Sequence, residues 1–381
     1  MSKIGVIGTG FIAKGFVNLV YDHPNHTLGK ILTRSDIGKR DDFPHSDHMT
    51  QSLDELIADS DLIVECSGDA IYACDTISQI LEADIPVVTM NSEFHVTVGS
   101  YFVGKGMVTE AEGDQPGVLA MLHEEAIAMG FKPLVYGNIK GFLNHNPTPE
   151  DMEYWGNKSG ISLDMVTSFT DGTKVQIEQT FIANGFHTDI AQDDLMGIVD
   201  DDMHHGGSIL AEKAKEMGTP ISDYLLSPKL PAGVFLVAEH NENQKDGLRY
   251  YKMGEGPYYI LERTFHLCHL EMMKTVDRVL KGGDVLLDNS ANPTISTTTI
   301  AKRDLAVGET INKGIGSFDV RGIAVRIKEH KGHVPIGLMK DVVMKRAVKA
   351  GEEITFDDVE LPDSLALEIW KKIEAKVLEG K

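Results

Sequence analysis

Residues 3–13 read KIGVIGTGFIA, and their order decides the fold: a short apolar run, a glycine turn, then residues that begin a helical pattern reaching Leu19. Gly8 permits a tight turn, Gly10 lets the backbone approach a pyrophosphate, and Ala13 is small enough for a helix to pack on the strand. The backbone N–H groups of Phe11 and Ile12 then open the helix, where unpaired donors and the positive dipole end receive phosphate. A second strand is expected over 28–33, a third over 61–65, a helix over 70–82 and a fourth strand over 85–90. Strand and helix in alternation predict a parallel sheet that binds a dinucleotide at its carboxyl edge.

An acidic residue that would hold a ribose 2′-hydroxyl is due about 20 positions after the motif. The position is Thr33, followed by Arg34 and Ser35. One cation and two hydroxyls suit a 2′-phosphate, so NADP(H) is favoured over NAD(H). Arg34 as a solvated loop residue is the plain alternative, and Asp36 keeps NAD(H) open. At the later strand ends Ser67, Gly68 and Asn91 are candidates for contacts near the ribose and nicotinamide. Glu65 reads equally well as a structural acceptor.

The chain has 381 residues, with 36 Lys and Arg against 58 Asp and Glu, for a formal charge of −22. That length holds two or three domains, and an apolar fraction of 42% supplies their cores. The acidic balance argues against non-specific nucleic-acid binding. Three cysteines form neither a disulfide framework nor a zinc cluster, and no apolar run reaches the roughly 20 residues of a membrane span. The expectation is a cytoplasmic protein without membrane or nucleic-acid partners.

Beyond the nucleotide segment, Asp114 and Gln115 precede Pro116-Gly117 at a turn into a helix. The strand expected over 133–140, ending at Lys140, would close the nucleotide sheet. Residues 166–174 read as strand passing into helix, with Asp171 as N-cap and Lys174 in the first turn. A cation there opposes the helix dipole, which points to a substrate oxygen or anion as its partner. An exposed Lys174–Glu178 pair is the rival account. Residues 263–271, RTFHLCHLE, read as the start of a helix that puts His266 and His269 on one face near Glu271. That spacing leaves a divalent metal open, with polar substrate contacts the favoured use. The acidic run from Asp193 to Asp202 is read as a surface loop.

Residues 301–312, AKRDLAVGETIN, and 344–355, MKRAVKAGEEIT, align without gaps. The same strand–turn unit occurs twice, predicting a compact β module closed by a helix over 364–378 that packs on a neighbouring domain or subunit.

The motifs VIGTGFIAKGF, IVECSGD, GDQPG, SFTDGTKVQIEQ, YYKMGEGPYY and FHLCHLE, with the duplicated end, together resemble the homoserine-dehydrogenase-like oxidoreductases that carry a C-terminal SAF domain. That group includes 1-deoxy-D-xylulose 5-phosphate reductoisomerase-like enzymes. The chain departs from them in its compact nucleotide segment, and from homoserine dehydrogenases in lacking a G-D-P-R-D-D-L-like stretch. The resemblance implies an α/β chain with a Rossmann domain over 1–145, an α+β catalytic and oligomerisation domain over 146–290 and a small SAF-like β domain over 291–381.

The expected activity is NADP(H)-dependent oxidation or reduction of a small polyhydroxylated compound, with or without phosphate. Reductoisomerase, homoserine dehydrogenase and a non-catalytic nucleotide or sugar sensor are the alternatives. Lys174 or His266 would handle the proton, positioned by Lys140, Asp171 and Glu271. A homodimer or homotetramer is expected.

Overall fold

The computed structural model describes residues 1–380. The chain opens with β1 (Ser2–Ile7), α1 (Phe11–Tyr21), β2 (His26–Leu32), β3 (Met49–Thr50), α2 (Leu53–Ala58), β4 (Leu62–Glu65), α3 (Ala70–Glu82), β5 (Val87–Thr89), α4 (Ser92–Val98) and β6 (Val108–Glu110). These strands form a parallel six-stranded sheet ordered β3-β2-β1-β4-β5-β6. Apolar residues on both faces explain it: Ile4, Val6, Leu62 and Val64 pack under α1, and Ile7 and Ile63 pack toward α3. The strand order reverses beside β1, which places the cleft at the glycine turn.

The next stretch runs α5 (Gln115–Ala128), β7 (Lys132–Lys140), α6 (Pro149–Ser159), α7 (Leu163–Thr170), α8 (Thr173–Gly185), β8 (Ile198–Val199), α9 (Met203–Met217), β9 (Ile221–Leu226), β10 (Val234–Glu239), α10 (Lys245–Tyr250), β11 (Tyr259–Arg263) and α11 (Met272–Leu280). Its strands make a mixed five-stranded sheet, β11-β10-β7-β9-β8. Here the strand over 133–140 departs from expectation. It is the centre of this second sheet, and β6 closes the nucleotide sheet instead. The short β6 is the less conspicuous of the two in sequence, whereas β7 is a long apolar run whose partners all come later in the chain. Helix α11 returns to the first domain, where Met272, Met273, Val276 and Val279 join the core under α1.

Residues 163–170 are helical rather than extended, so α7 and α8 form a helix–turn–helix. Gly172, at φ +88°, takes the N-cap position of α8, and Asp171 lies one residue earlier. Helix α8 is the hub of the molecule, buried along nearly its whole length. Most of its polar side chains are paired: Gln176 with Asp194 O and Ala324 N, Glu178 with Asn138, Thr180 with Thr297, and Asn184 with Ile295. Each would be costly to bury unpaired. The exposed Lys174–Glu178 pair is thereby overturned, because neither residue faces solvent.

The last part comprises β12 (Ile295–Ala301), β13 (Thr310–Lys313), β14 (Val320–Arg326), β15 (Lys340–Met344), β16 (Val359–Glu360) and α12 (Leu365–Glu379). The two copies of the repeat face each other: Leu305 and Val348 exchange backbone hydrogen bonds at 2.8 and 3.1 Å. Gly308 N–H donates to Met344 O as Gly351 N–H donates to Ala301 O, with both glycines at positive φ. The β module shares one core with α3, α4 and α12, centred on the fully buried Trp370. Helix α12 thus covers the chain's own nucleotide domain. Among the described residues no helix is long and apolar enough to cross a membrane.

Candidate active site

The glycine turn has the shape its sequence calls for. Gly8 sits at φ +109°, and a Cβ there would lie 2.8 Å from Cys66 O. Gly10 caps α1, and a Cβ on it would meet nothing within 4 Å. This open cradle at a helix N-terminus fits a pyrophosphate. Phe11 and Ile12 follow on the first turn of α1, with Phe11 half exposed and meeting His269 edge-on.

At the end of β2, Thr33 is buried; its Oγ1 accepts Ser35 N–H at 3.1 Å and lies 3.3 Å from Thr9 Oγ1. Arg34 and Ser35 are exposed beside it. Arg34 bonds Asp69 Oδ2 at 2.9 Å and stacks over the Tyr72 ring. Arg40, which sequence reasoning passed over, donates to Thr9 Oγ1 at 2.6 Å and Thr9 O at 3.0 Å. Asp36 turns into its own loop to accept Gly38 N–H at 3.1 Å.

Glu65 is the structural acceptor: buried, it takes Ser67 N–H at 2.6 Å and Thr89 Oγ1–H at 2.9 Å. Burial pushes its carboxyl up against those hydrogen bonds. Ser67 Oγ accepts Asp69 N–H, and Gly68 sits at φ +64° with open space beside its Cα. Asn91 caps α4 through Phe94 N–H, while its buried Nδ2 lies toward the Glu65 carboxyl without a hydrogen bond of normal geometry among the described residues. A buried donor left without a well-formed bond at this strand end fits the polar groups of a bound nicotinamide riboside.

Beyond Asn91, α4, α5, β7 and α8 converge. Lys174 Nζ lies 3.2 Å from Glu93 Oε1 and 3.5 Å from Asp114 Oδ2, nearly out of solvent. Ser92 donates to the same Asp114 oxygen at 3.2 Å. Lys140 Nζ bonds Gln115 Oε1 and, at 2.8 Å, Glu178 Oε2, which also accepts Asn138 Nδ2–H at 2.8 Å.

Burial opposes the charge on Lys174, but Asp114, Glu93, Glu178 and Glu110 outweigh it and hold the ammonium well above its ordinary pKa. Burial likewise opposes ionised Asp114, yet Lys174, His266, the Gln115 N–H and Lys140 bring it below its usual value. Glu110, fully buried, is pushed well up by burial and by Asp114, and burial takes His95, 3.2 Å away, down to about 3. At neutral pH the His95 imidazole is uncharged.

The structure therefore brings together Lys140 and Lys174, with His266 close enough to act on Asp114. Asp171 and Glu271 stand apart. Asp171 pairs with Lys302 of the β module and accepts Thr173 N–H at 2.8 Å. Glu271 binds Arg263 and accepts Leu267 N–H at 2.7 Å, bracing the segment that carries His266. That segment is irregular, followed by a 3-10 turn over Cys268–Leu270, so His266 and His269 do not share a helix face as expected. The strand β11 ahead of it and the contact between Gly113 and Cys268 break the helix early. Among the described residues no three His, Cys, Asp or Glu side chains gather to hold a metal ion. Glu93 and Asp114 share the Lys174 ammonium, and Glu178 takes that of Lys140.

Glu93, Asn138 and Glu178 were missed as site residues. Glu93 carried a signal, the single carboxylate in a run over 92–103 that is otherwise apolar or small apart from His95.

Residues 8–97 match the homoserine dehydrogenase NAD-binding domain, and residues 113–272 match the catalytic domain of oxidoreductase DRL. No curated protein sequence matches the chain. Among solved structures it is similar to UDP-N-acetylglucosamine 3-dehydrogenase from Acidithiobacillus ferrooxidans, at TM-score 0.39 and 9% identity over 76% of this chain and 92% of that one. It is similar to scyllo-inositol dehydrogenase from Lactobacillus casei, at TM-score 0.39 and 11% identity over the same shares. A third is dihydrodipicolinate reductase from Paenisporosarcina, at 0.37 and 13% over 74% and 94%. The nucleotide-domain and catalytic-domain matches fall on the two halves of the cleft, and the chain is an NAD(P)-dependent oxidoreductase.

Proposed function

We propose that this oxidoreductase uses NADP(H) to interconvert a carbonyl and a hydroxyl on a small polyhydroxylated, phosphorylated compound, with Lys174 acting on the substrate oxygen. The carrying observation is the Lys174 ammonium, fixed by Glu93 and Asp114 at the inner end of the nucleotide cleft. NADP(H) is supported by Arg34 next to Ser35 in the chain, by Arg40 on Thr9 of the glycine turn, and by Asp36 being committed to its own loop.

The turn Gly8–Ile12 would hold the pyrophosphate, Arg34, Ser35 and Arg40 the 2′-phosphate, and Ser67, Gly68 and Asn91 the nicotinamide end. The bound cofactor supplies or accepts hydride. Lys174 donates a hydrogen bond to the substrate oxygen and stabilises the negative charge that grows there during carbonyl reduction. It then yields its proton to the far more basic alkoxide, and the surrounding carboxylates favour its reprotonation. Because those carboxylates keep it cationic through neutral pH, the site is better prepared for reduction than for proton abstraction. Lys140 adds a second positive charge for an anionic substrate, and His266 is the alternative proton carrier. Asp171 and Glu271 act as positioning residues.

We assign the duplicated β module to the SAF type and the substrate to phosphorylated hydroxyketones of the 1-deoxy-D-xylulose 5-phosphate kind; the two lysines support an anion. A homodimer or homotetramer is supported by the exposed Tyr154 and Trp155 on α6. The test is NADPH consumption over a panel of hydroxyketones, polyols and homoserine, with and without chelator. Turnover that survives chelator and falls about 100-fold or more in Lys174→Met is expected. Failure to take up either nicotinamide nucleotide in calorimetry would remove the reading.

A further inference from the structure

The β module reaches the adenosine end of the cleft through one side chain. Lys340, the first residue of β15, places Nζ 2.9 Å from Asp69 Oδ2. The same oxygen accepts from Arg34 Nη1, also at 2.9 Å. The two cationic nitrogens are thus no farther apart than those bonds laid end to end. Asp69 uses its other oxygen to cap α3, accepting Tyr72 N–H at 3.0 Å. Both cations remain half exposed at their outer sides, whereas Asp69 is mostly covered.

Asp69 poses an electrostatic problem for a phosphorylated ribose. It is a like charge beside the phosphate, and it competes with the phosphate for Arg34. Paired with Arg34 alone, it would have to be left uncompensated whenever the guanidinium turned to its ligand, and breaking a partly buried pair on one side is expensive. An ammonium on the same oxygen removes that penalty. Asp69 stays neutralised by Lys340 while Arg34 moves onto the 2′-phosphate, whose oxygens match its planar fork.

We propose that Lys340 is a specificity-determining residue for the nicotinamide nucleotide, neutralising Asp69 so that Arg34 is released to the adenosine 2′-phosphate. The inference rests on the NADP(H) reading above. It makes the C-terminal module part of cofactor selection without requiring Lys340 to touch the cofactor. A plain tether between module and α3 would have a different signature, because its loss would weaken both nucleotides alike.

The test is calorimetric binding of NADPH and of NADH to the full chain as wild type, Lys340→Met, Lys340→Arg, Asp69→Asn and the Lys340→Met/Asp69→Asn double variant. Asn is a good N-cap, so Asp69→Asn removes the charge and keeps the cap on α3. Lys340→Met is expected to weaken NADPH about tenfold and to leave NADH within about twofold. Lys340→Arg is expected to keep the wild-type preference, and the double variant to regain most of the lost NADPH affinity. Equal losses for both nucleotides in Lys340→Met, or no recovery in the double variant, would overturn the assignment. A wild type that binds NADH more tightly than NADPH would instead refute the cofactor reading, and that result is in hand before any variant is made. Should Lys340→Met not fold, the Asp69→Asn chain alone decides: NADPH affinity equal to or above wild type supports the proposal, and a loss refutes it.

Discussion

Replacing Lys174 with Met should make the stability of this protein pH-dependent in a direction fixed by the residues around it. In the wild type Lys174, the strongest of the groups that oppose burial at Asp114, outweighs it together with His266, the Gln115 N–H and Lys140, so that carboxyl ionises below its usual value and contributes no pH dependence between pH 5 and pH 8. Met has similar bulk and no charge. Without the ammonium, burial becomes the dominant influence on Asp114, and its folded-state pKa rises above the unfolded value of about 3.9. The folded protein then holds a proton that the unfolded chain has released. Stability falls as pH rises, by about 1.4 kcal/mol per unit for one proton, until the raised folded pKa is passed. Over three pH units the gap between variant and wild type should widen by up to about 4 kcal/mol. Lys174 also draws down the raised pKa of Glu110, so its loss moves Glu110 in the same direction as Asp114 and adds to the gap rather than opposing it. Urea denaturation of both proteins at pH 5, 6, 7 and 8 measures the gap without needing a substrate. A gap constant within about 1 kcal/mol over that range would mean that Lys174 does not hold these carboxylates ionised, and the proposed electrostatic role would fall with it.

Gly10→Val should fold with a melting temperature close to wild type, since its side chain enters space free of protein atoms, yet lose NADPH affinity about 100-fold or more by calorimetry. Lys302→Met leaves Asp171 buried without its partner and should cost about 3–5 kcal/mol in urea unfolding, whereas the Lys302→Met/Asp171→Asn double variant should recover much of that loss. Burial opposes protonation of His330, but Asp193 and Glu353 at 2.8 and 2.9 Å outweigh it and raise its pKa. Its stabilisation is full below the unfolded value of about 6.5 and is lost as pH rises through the folded one. His330→Gln should therefore melt below wild type at pH 5.5 and converge with it at pH 9.

The proposed cofactor half of the cleft could be placed in the fold from sequence because its elements are local. A glycine turn between strand and helix, and the residues at the next strand ends, are set by consecutive stretches of chain, so Gly8, Gly10, Ser67 and Asn91 could be placed by spacing. The proposed substrate half is assembled across long separations, with Glu93, Asp114, Lys140 and Lys174 contributed by different elements. No periodicity encodes that meeting. Helix α8 shows why: TKVQIEQTFIANG has the polar content of a surface helix, and only the partners waiting at Asn138, Ala324, Thr297 and Ile295 make it a buried one. The fate of β7 has the same cause, because a strand reads alike in either sheet until its neighbours are known.

The β module explains how that substrate half is held in register with the cofactor half. It meets the nucleotide domain through Lys340 on Asp69 and through the core around Trp370, and it meets the second domain through Lys302 on Asp171, Arg321 on Asp194 and His330 on Asp193. Those attachments lie on both sides of α8, the helix that carries Lys174. The polar bonds from Thr173 to Gly322 and from Gln176 to Ala324 fix the rotation of α8 against β14. A rotation of one residue would move Lys174 by about 100° around the helix and take it off Glu93 and Asp114. The module therefore sets where the ammonium stands relative to Asn91, and a chain lacking it would lose the geometry of the lysine before it lost the nucleotide cradle.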